Sequence, residues 1–524
     1  GAYALFFVLL LWRRDLAVPL CLAVAASAGT VALYAVFQRF AGFAQTAEWA
    51  RLYFSGHSQL PLMQAKLQSG RVFSTLVYPN SLGGFLLTAL PVTAAVWADA
   101  RRGGPGRVRA LLCAAAMFCA ASVYLWLNGA APGDAGWLSW HGIFLAGAVA
   151  APAAELAAML FSESQGTFAA FGVLALGAAV VFACRRWKGP RRLAAFAVLG
   201  IFCAACLVLC VQGLERIKWD TLLMRWGYWA AAAKMIWAEG LAFGFGPGSF
   251  GSVYPRFKWD WVGETQLAHS HVLQIAAESG LIAAVGWVLW WLGWALLPAK
   301  RWDPKPSTLL RWGVPAGLAG FLLHGLLDFD FFIPGITVPA LVLCAVLWHG
   351  RTESKTRAVA LPLPVRGLAA AVLAVVLLIL PFRHFSRSAA AQGYFTQGAV
   401  LAGGGRWAEA GQAFALAGQT APGIAAYRFY EGLSLERQGR TQEALACYRA
   451  ASRLAPAMAY YHYRMAVILA ATDRPAAAKA LREALRNYPG NAEYALALKA
   501  LQESIKPSST PQGKHGQGGF PLID

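Results

Sequence analysis

The chain is built from long apolar runs separated by short basic clusters, a succession that a soluble core does not require. Spanning helices need roughly 17–25 apolar residues. Runs near that length occur at 16–37, 82–97, 108–127, 138–161, 168–184, 193–211, 272–297, 313–327, 333–347 and 367–381. Charged residues make up 13% of the chain, about half the share of an ordinary soluble domain. The 21 Trp and 30 Phe suit helices anchored at lipid–water boundaries. The expectation is an all-α, multi-pass membrane protein.

The formal net charge of +20 sits mostly in the clusters between these runs. Basic clusters set membrane topology by staying in the cytoplasm, and no basic helix or RNA-binding signature points to nucleic acid. Clusters at 13–14, 101–109, 185–192, 300–311 and 351–357 are therefore expected inside. Segments 39–79 and 212–270, and everything after 381, are then expected outside. Three runs between 109 and 185 break the parity, so 138–161, which contains Pro152 and Glu155, is expected to be re-entrant or interfacial. The opening apolar run is followed by Arg13 and Arg14, the reverse of a signal peptide. It reads as the end of a spanning helix whose upstream neighbours are missing. Cys203, Cys206 and Cys210 lie in an apolar run without His or acidic partners, so small buried hydrophobes are expected there, not a metal or redox cluster.

After Arg383 the chain becomes Ala-rich and amphipathic, with a period. Ala410, Ala444 and Ala478 recur every 34 residues, as do Arg406, Arg440 and Arg474, and Pro422 and Pro456 keep the same step. Gly398, Gly432 and Ala466 hold the small position of each first helix; Phe414 and Tyr448 hold the aromatic position of the second. This resembles the tetratricopeptide repeat. The third unit departs, with Arg482 at the aromatic place and Gly490 in place of Pro, as expected of a solvent-facing cap. Residues 506–524 form a Gly/Pro/Ser tail of the composition of disordered segments.

The most pointed polar cluster lies in 212–270. It runs from Arg225 and Trp229, through Gly244-Phe-Gly-Pro-Gly-Ser-Phe250, to His269-Ser-His-Val-Leu-Gln274 and Glu278-Ser-Gly280. A lone Gly-rich stretch is weak as a phosphate cradle, and its bland role is a tight turn. An Arg opening an outer loop is often a surface anchor, a His at a helix entrance is often a cap, and Asn80 stands where it would cap the helix beginning near Leu82. An unpaired Glu278 inside an apolar helix is costly and calls for a partner. His324 and Asp328 are four apart, hence on one helical face, where they can orient each other or line an acceptor path.

Taken in order, these motifs resemble the O-antigen ligase and O-antigen polymerase superfamily. Arg71-Val-Phe-Ser-Thr-Leu-Val-Tyr-Pro-Asn80 and His324-Gly-Leu-Leu-Asp328-Phe-Asp330 add to the likeness, which covers about residues 1–385. Gln165 departs from it, since many members have Arg there. The resemblance implies inverting, metal-independent glycosyl transfer on the periplasmic face of the bacterial inner membrane, with no cofactor. The donor would be a glycan on a polyprenyl diphosphate; the acceptor would be lipid A–core, another glycan or a protein hydroxyl. His269 would be the base and Arg225 the diphosphate ligand. Arg71, Asn80, Gln274, Glu278, His324 and Asp328 would contact diphosphate or glycan. His suits a base near neutral pH, and the Arg fork suits phosphate oxygens.

The expected domains are a polytopic type C glycosyltransferase-like part (1–385), three periplasmic repeats (386–505) that recruit acceptor or protein partners, and the tail. A polysaccharide polymerase or a protein O-oligosaccharyltransferase shares the chemistry with another acceptor. A lipid-linked glycan transporter would instead place its ionisable groups near the bilayer midplane in paired inverted repeats. A non-enzymatic anchor for the repeats would leave Arg225 and His269 dispensable.

Overall fold

The computed structural model describes residues 16–43, 67–76, 78–103, 105–127, 135–186, 219–240, 242–296, 312–351 and 380–505, with a few isolated positions besides. Among these no strand occurs. The expected spans at 193–211 and most of 367–381, the three cysteines Cys203, Cys206 and Cys210, and the tail lie outside the described residues. Two compact units emerge: Gly1–Phe250 with Leu267–Leu377, and Gly251–Gln266 with Leu378–Asp524.

The first unit holds eleven of the described helices, in order α1 (Ala17–Phe37), α2 (Pro79–Ala100), α3 (Pro105–Leu127), α4 (Ala135–Val149), α5 (Ala151–Phe161), α6 (Gln165–Arg186), α7 (Trp219–Met235), α8 (His271–Ser279), α9 (Leu281–Leu296), α10 (Val314–Gly325) and α11 (Pro334–Arg351). Helix α1, running on to Gly42, and helix α2 are long and apolar enough to cross a membrane. Helix α1 packs on α2, α3 and α5 around a core that includes Leu33, Leu82, Leu86 and Met117.

Small residues decide how closely the helices approach. A Cβ on Gly317 or Gly320 of α10 would stand 2.3 Å from the Thr88 carbonyl oxygen or 2.6 Å from that of Leu87. Helix α10 therefore lies directly on the α2 backbone, as small residues allow between membrane helices.

Two expected runs are interrupted. Helices α4 and α5 meet at a 106° bend, the geometry of a broken span or re-entrant loop, inside the run expected to be irregular. Trp97 Nε1 donates to the Val149 carbonyl at 2.6 Å, satisfying an acceptor beside the break. The run 272–297 is not one helix, as expected from its apolar length, but stops at Gly280, where φ is +88°. A Cβ at Gly280 would lie 2.2 Å from the Ala242 carbonyl oxygen, so any larger residue would collide with the backbone.

The second unit is a stack of paired helices: α12 (Leu380–Gly403), α13 (Trp407–Thr420), α14 (Ala425–Arg437), α15 (Thr441–Leu454), α16 (Ala459–Leu469), α17 (Arg474–Asn487) and α18 (Ala492–Ile505). The 34-residue register has a packing cause. A Cβ on Gly398 would come within 2.7 Å of the Phe414 ring, and one on Gly432 within 2.9 Å of Tyr448. Glycine on one helix thus admits the aromatic ring of the next. The recurring arginines pair with glutamates three residues on, Arg406 with Glu409 and Arg440 with Glu443. In the third pair the role changes: Asp473 caps α17 by accepting from the Ala476 amide at 2.9 Å.

Segment 251–266 joins this unit at α17 and the turn that follows it. Tyr488 donates its hydroxyl to Glu264 at 2.7 Å, and Lys258 Nζ lies 5.1 Å from the Tyr488 ring centre and 3.3 Å from Glu264. Burial alone would lower the Lys258 ammonium, but Tyr488 and Glu264 outweigh it and raise its pKa.

Candidate functional site

The site assembles where several apolar helices of the first unit begin or end. Asn80 lies in the first turn of α2, Ser162 and Glu163 follow α5, and Thr167 lies in the first turn of α6. His324 closes α10, and residues 326–333 carry the chain into α11. Helix ends leave backbone donors and acceptors unspent, so polar side chains collect there.

Asp328 is the joint. Its Oδ2 accepts from Arg225 Nη2 at 2.9 Å and from Asn80 Nδ2 at 3.0 Å. Its Oδ1 accepts from the Phe329 amide at 2.9 Å and stands 3.5 Å from His269 Nδ1, an ion-pair distance and not a short hydrogen bond. Arg225 also donates through Nη1 to the Leu327 carbonyl at 2.5 Å. Both Arg225 and Asp328 are buried, 8% and 2% exposed, so the charges have no solvent to replace their partners. Burial pushes the Asp328 carboxyl up, but His269, His324 and Arg225 together hold it well below the usual carboxylate range.

A second guanidinium reaches Asp328 through Asn80. Arg71 donates through Nε to the Ser162 carbonyl at 3.0 Å and through Nη2 to Asn80 Oδ1 at 3.2 Å and the Glu163 carbonyl at 3.3 Å. Burial lowers the Arg71 pKa; Glu163 partly offsets this and Arg225 reinforces it, the mark of two like charges held near each other. Asn80 bridges Arg71 to Asp328. It does not cap α2: the helix begins at Pro79 behind Tyr78, which makes no side-chain cap bond. The start of α6 closes in on the same place, since a Cβ on Gly166 would stand 3.5 Å from Arg225 Nη1. Gln165 is the first residue of that helix.

His269 is held in a left-handed backbone conformation, φ +51°, sparsely populated by side-chain-bearing residues. Its ring stacks on Tyr228 at 5.5 Å and meets the edge of Phe329 at 5.0 Å, while Trp229 Nε1 donates to its carbonyl at 3.3 Å. With Nδ1 toward Asp328, Nε2 is the nitrogen left to meet a hydroxyl.

The remaining expected residues divide. Of the two readings of His324 and Asp328, lining an acceptor path or orienting each other along one helical face, the second does not hold. The helix ends at Gly325, so the pairing shifts: His324 Nδ1 donates to Asp330 Oδ2 at 2.5 Å, and its Nε2 lies 3.0 Å from Thr167 Oγ1. Asp330 and Thr167 were not singled out as site residues, though Asp330 closes the motif that begins at His324. Gln274 and Glu278 bond to each other, Nε2 to Oε1 at 2.7 Å, on consecutive turns of α8. Gln274 Oε1 accepts from the Ala268 amide at 2.6 Å and Glu278 Oε1 from the Phe250 amide at 3.1 Å. Glu278 thus finds its partners, and the pair clamps the two backbone positions flanking 251–266. The Gly-rich stretch is a tight turn: a Cβ on Gly244, at φ +67°, would meet the Glu278 carbonyl carbon at 2.4 Å.

Residues 148–288 match the family model for O-antigen ligase. The matched span holds Arg225, His269, Gln274 and Glu278; Arg71, Asn80, His324 and Asp328 lie outside it and reach the site by folding. No curated protein matches the chain. The match supports an O-antigen ligase or polymerase-like role in surface polysaccharide biosynthesis. With the apolar helices, it supports a membrane protein.

Proposed function

We propose that the protein is a glycosyltransferase that moves a glycan from a polyprenyl diphosphate onto an acceptor hydroxyl, as an O-antigen ligase does, at the periplasmic face of the inner membrane. His269 Nε2 takes the acceptor hydroxyl proton as that oxygen attacks the anomeric carbon. The bond from that carbon to the diphosphate oxygen breaks, and the diphosphate departs with the electron pair. Arg225 and Arg71, with the first turn of α6, face that charge. Attack opposite the leaving group inverts the anomeric centre. Asp328 orients the imidazole through Nδ1, as a carboxylate does in an Asp–His pair. Catalytic contacts of this kind are often long before substrate binds.

The observation that carries the reading is that one buried carboxylate, Asp328, bonds Arg225 at 2.9 Å and stands 3.5 Å from His269 Nδ1. The mechanism is metal-independent, so EDTA should leave transfer intact; loss restored by a divalent cation would refute it. We take the helical stack to be tetratricopeptide repeats that recruit the acceptor or a protein partner.

The test is a gene deletion complemented with wild type, Arg225→Ala or His269→Ala, with surface glycan resolved on gels. Both variants should fail to restore it. Loss of only the core-attached form would indicate a ligase, with lipid A–core as acceptor. Loss of long chains with single units retained would indicate a polymerase. Full restoration by either variant would overturn the reading.

A further inference from the structure

Two residues beyond His269, a second imidazole has no part in the chemistry above. His271 is 1% exposed and opens α8. Its Nε2 accepts from the Phe331 amide at 2.6 Å. An imidazolium has no lone pair to accept with, so this bond fixes His271 as the neutral tautomer protonated on Nδ1. That Nδ1 has no hydrogen-bond partner. Around the ring stand Phe331 at 5.5 Å, Trp287 at 5.9 Å, Phe321 at 6.0 Å and Phe332 at 6.2 Å. Nδ1 looks at the bare face of Gly325, where a Cβ would stand 2.6 Å away.

The loop after α10 is thus pinned at both ends. Arg225 holds the Leu327 carbonyl, and His271 holds the Phe331 amide. Between the pins lies Asp328. The tripeptide His269-Ser270-His271 therefore reaches the loop twice, once at the Asp328 carboxylate and once at the Phe331 amide.

We propose that His271 is a positioning residue: a strut that, by accepting from the Phe331 amide, sets Asp328 in register with His269, with Gly325 kept bare to admit its ring. The inference rests on the glycosyltransferase reading of His269 and deepens it. Three consequences differ from those of a general base. A side chain with an acceptor where Nε2 sits can replace His271, so His271→Gln should work. His271→Phe, which keeps the ring and loses the acceptor, should not. Gly325→Ala, which touches no substrate group, should mimic His271→Phe by displacing the ring.

The experiment uses membranes carrying the full chain, a synthetic polyprenyl-diphosphate disaccharide as donor, and membranes of the deletion strain as acceptor source. Rates are normalised to the amount of folded protein extracted in mild detergent. His271→Phe and Gly325→Ala should each lower kcat by at least about tenfold, equivalent to about 1.4 kcal/mol, with donor KM little changed. His271→Gln should recover to within about threefold of wild type, which a merely space-filling role would not give. Combined with His271→Ala, Gly325→Ala should add almost nothing, since the clash is gone. A His271→Gln variant as inactive as His269→Ala, or a fully active His271→Phe, would overturn the inference. If His269→Ala and Arg225→Ala are also fully active, the failure belongs to the site reading itself.

Discussion

Replacing Asp328 with Asn keeps the shape of the joint and removes its charge. The amide can present only one oxygen. If that oxygen faces Arg225 and Asn80, replacing the present bonds at 2.9 and 3.0 Å, the NH2 turns toward the Phe329 amide and His269 Nδ1. Two donors then oppose each other at Phe329, and His269 must accept through Nδ1, which moves its proton to Nε2. The nitrogen facing substrate is no longer a base. In a serine protease triad the same carboxylate-to-amide change lowers kcat about 10⁴-fold by imposing the wrong tautomer. The longer 3.5 Å contact here argues for a smaller figure, and we expect a loss of about 10²–10³-fold, equivalent to roughly 2.7–4 kcal/mol. Stability should fall too, because Arg225 loses its buried counter-charge, a change that costs about 3–5 kcal/mol when no partner is left and less with an amide in place. The assay is transfer per folded protein in membranes, with thermal unfolding in detergent measured beside it. Asp328→Asn transfer within about threefold of wild type, at equal protein content, would refute the orienting role of the carboxylate.

Other outcomes follow from neighbouring geometry. Gly84→Ala places a Cβ 2.5 Å from the Asp330 carboxylate, so it should dislodge the His324–Asp330 pair and reduce both transfer and melting temperature; an unchanged melt would contradict the packing. Glu278→Ala frees the Phe250 amide and Gln274 together and should cost about 1–3 kcal/mol, whereas Glu278→Gln, which keeps the acceptor, should lose much less; equal losses would mean that charge, and not the clamp, matters. Gly432→Ala presses on the Tyr448 ring at 2.9 Å and should destabilise the helical stack by about 1–3 kcal/mol, read from limited proteolysis of the full chain. Asp328 is held below its ordinary value of 3.8, so its ion-pair contribution is complete above that pH and lost only as pH falls toward the depressed value; acid destabilisation of wild type that Asp328→Asn lacks should therefore appear only below about pH 4.

What the sequence made legible follows the range of the forces involved. Apolar runs report directly on helices, because burial in lipid or core acts residue by residue. The 34-residue register was readable because a glycine and an aromatic ring must recur at a fixed offset wherever two helices interlock, as Gly432 and Tyr448 do. Where the third unit has Arg482 in place of the ring, Ala466 replaces the glycine, so the two positions change together. The family motifs put Arg225, His269 and Asp328 forward together, but not the bonds among them, since Arg225 and Asp328 lie 103 positions apart and meet only through tertiary packing. Helix periodicity misplaced His324 for a definite reason. The i,i+4 rule assumes the helix continues, and α10 stops at Gly325, so His324 meets Asp330, not Asp328. Gln274 and Glu278 obey the same rule because α8 does run through both, and there the pairing holds at 2.7 Å. His271 is not among the candidates the sequence offers, because its neighbours in sequence say nothing of the Phe331 amide 60 residues away, and only the fold shows that amide in need of an acceptor.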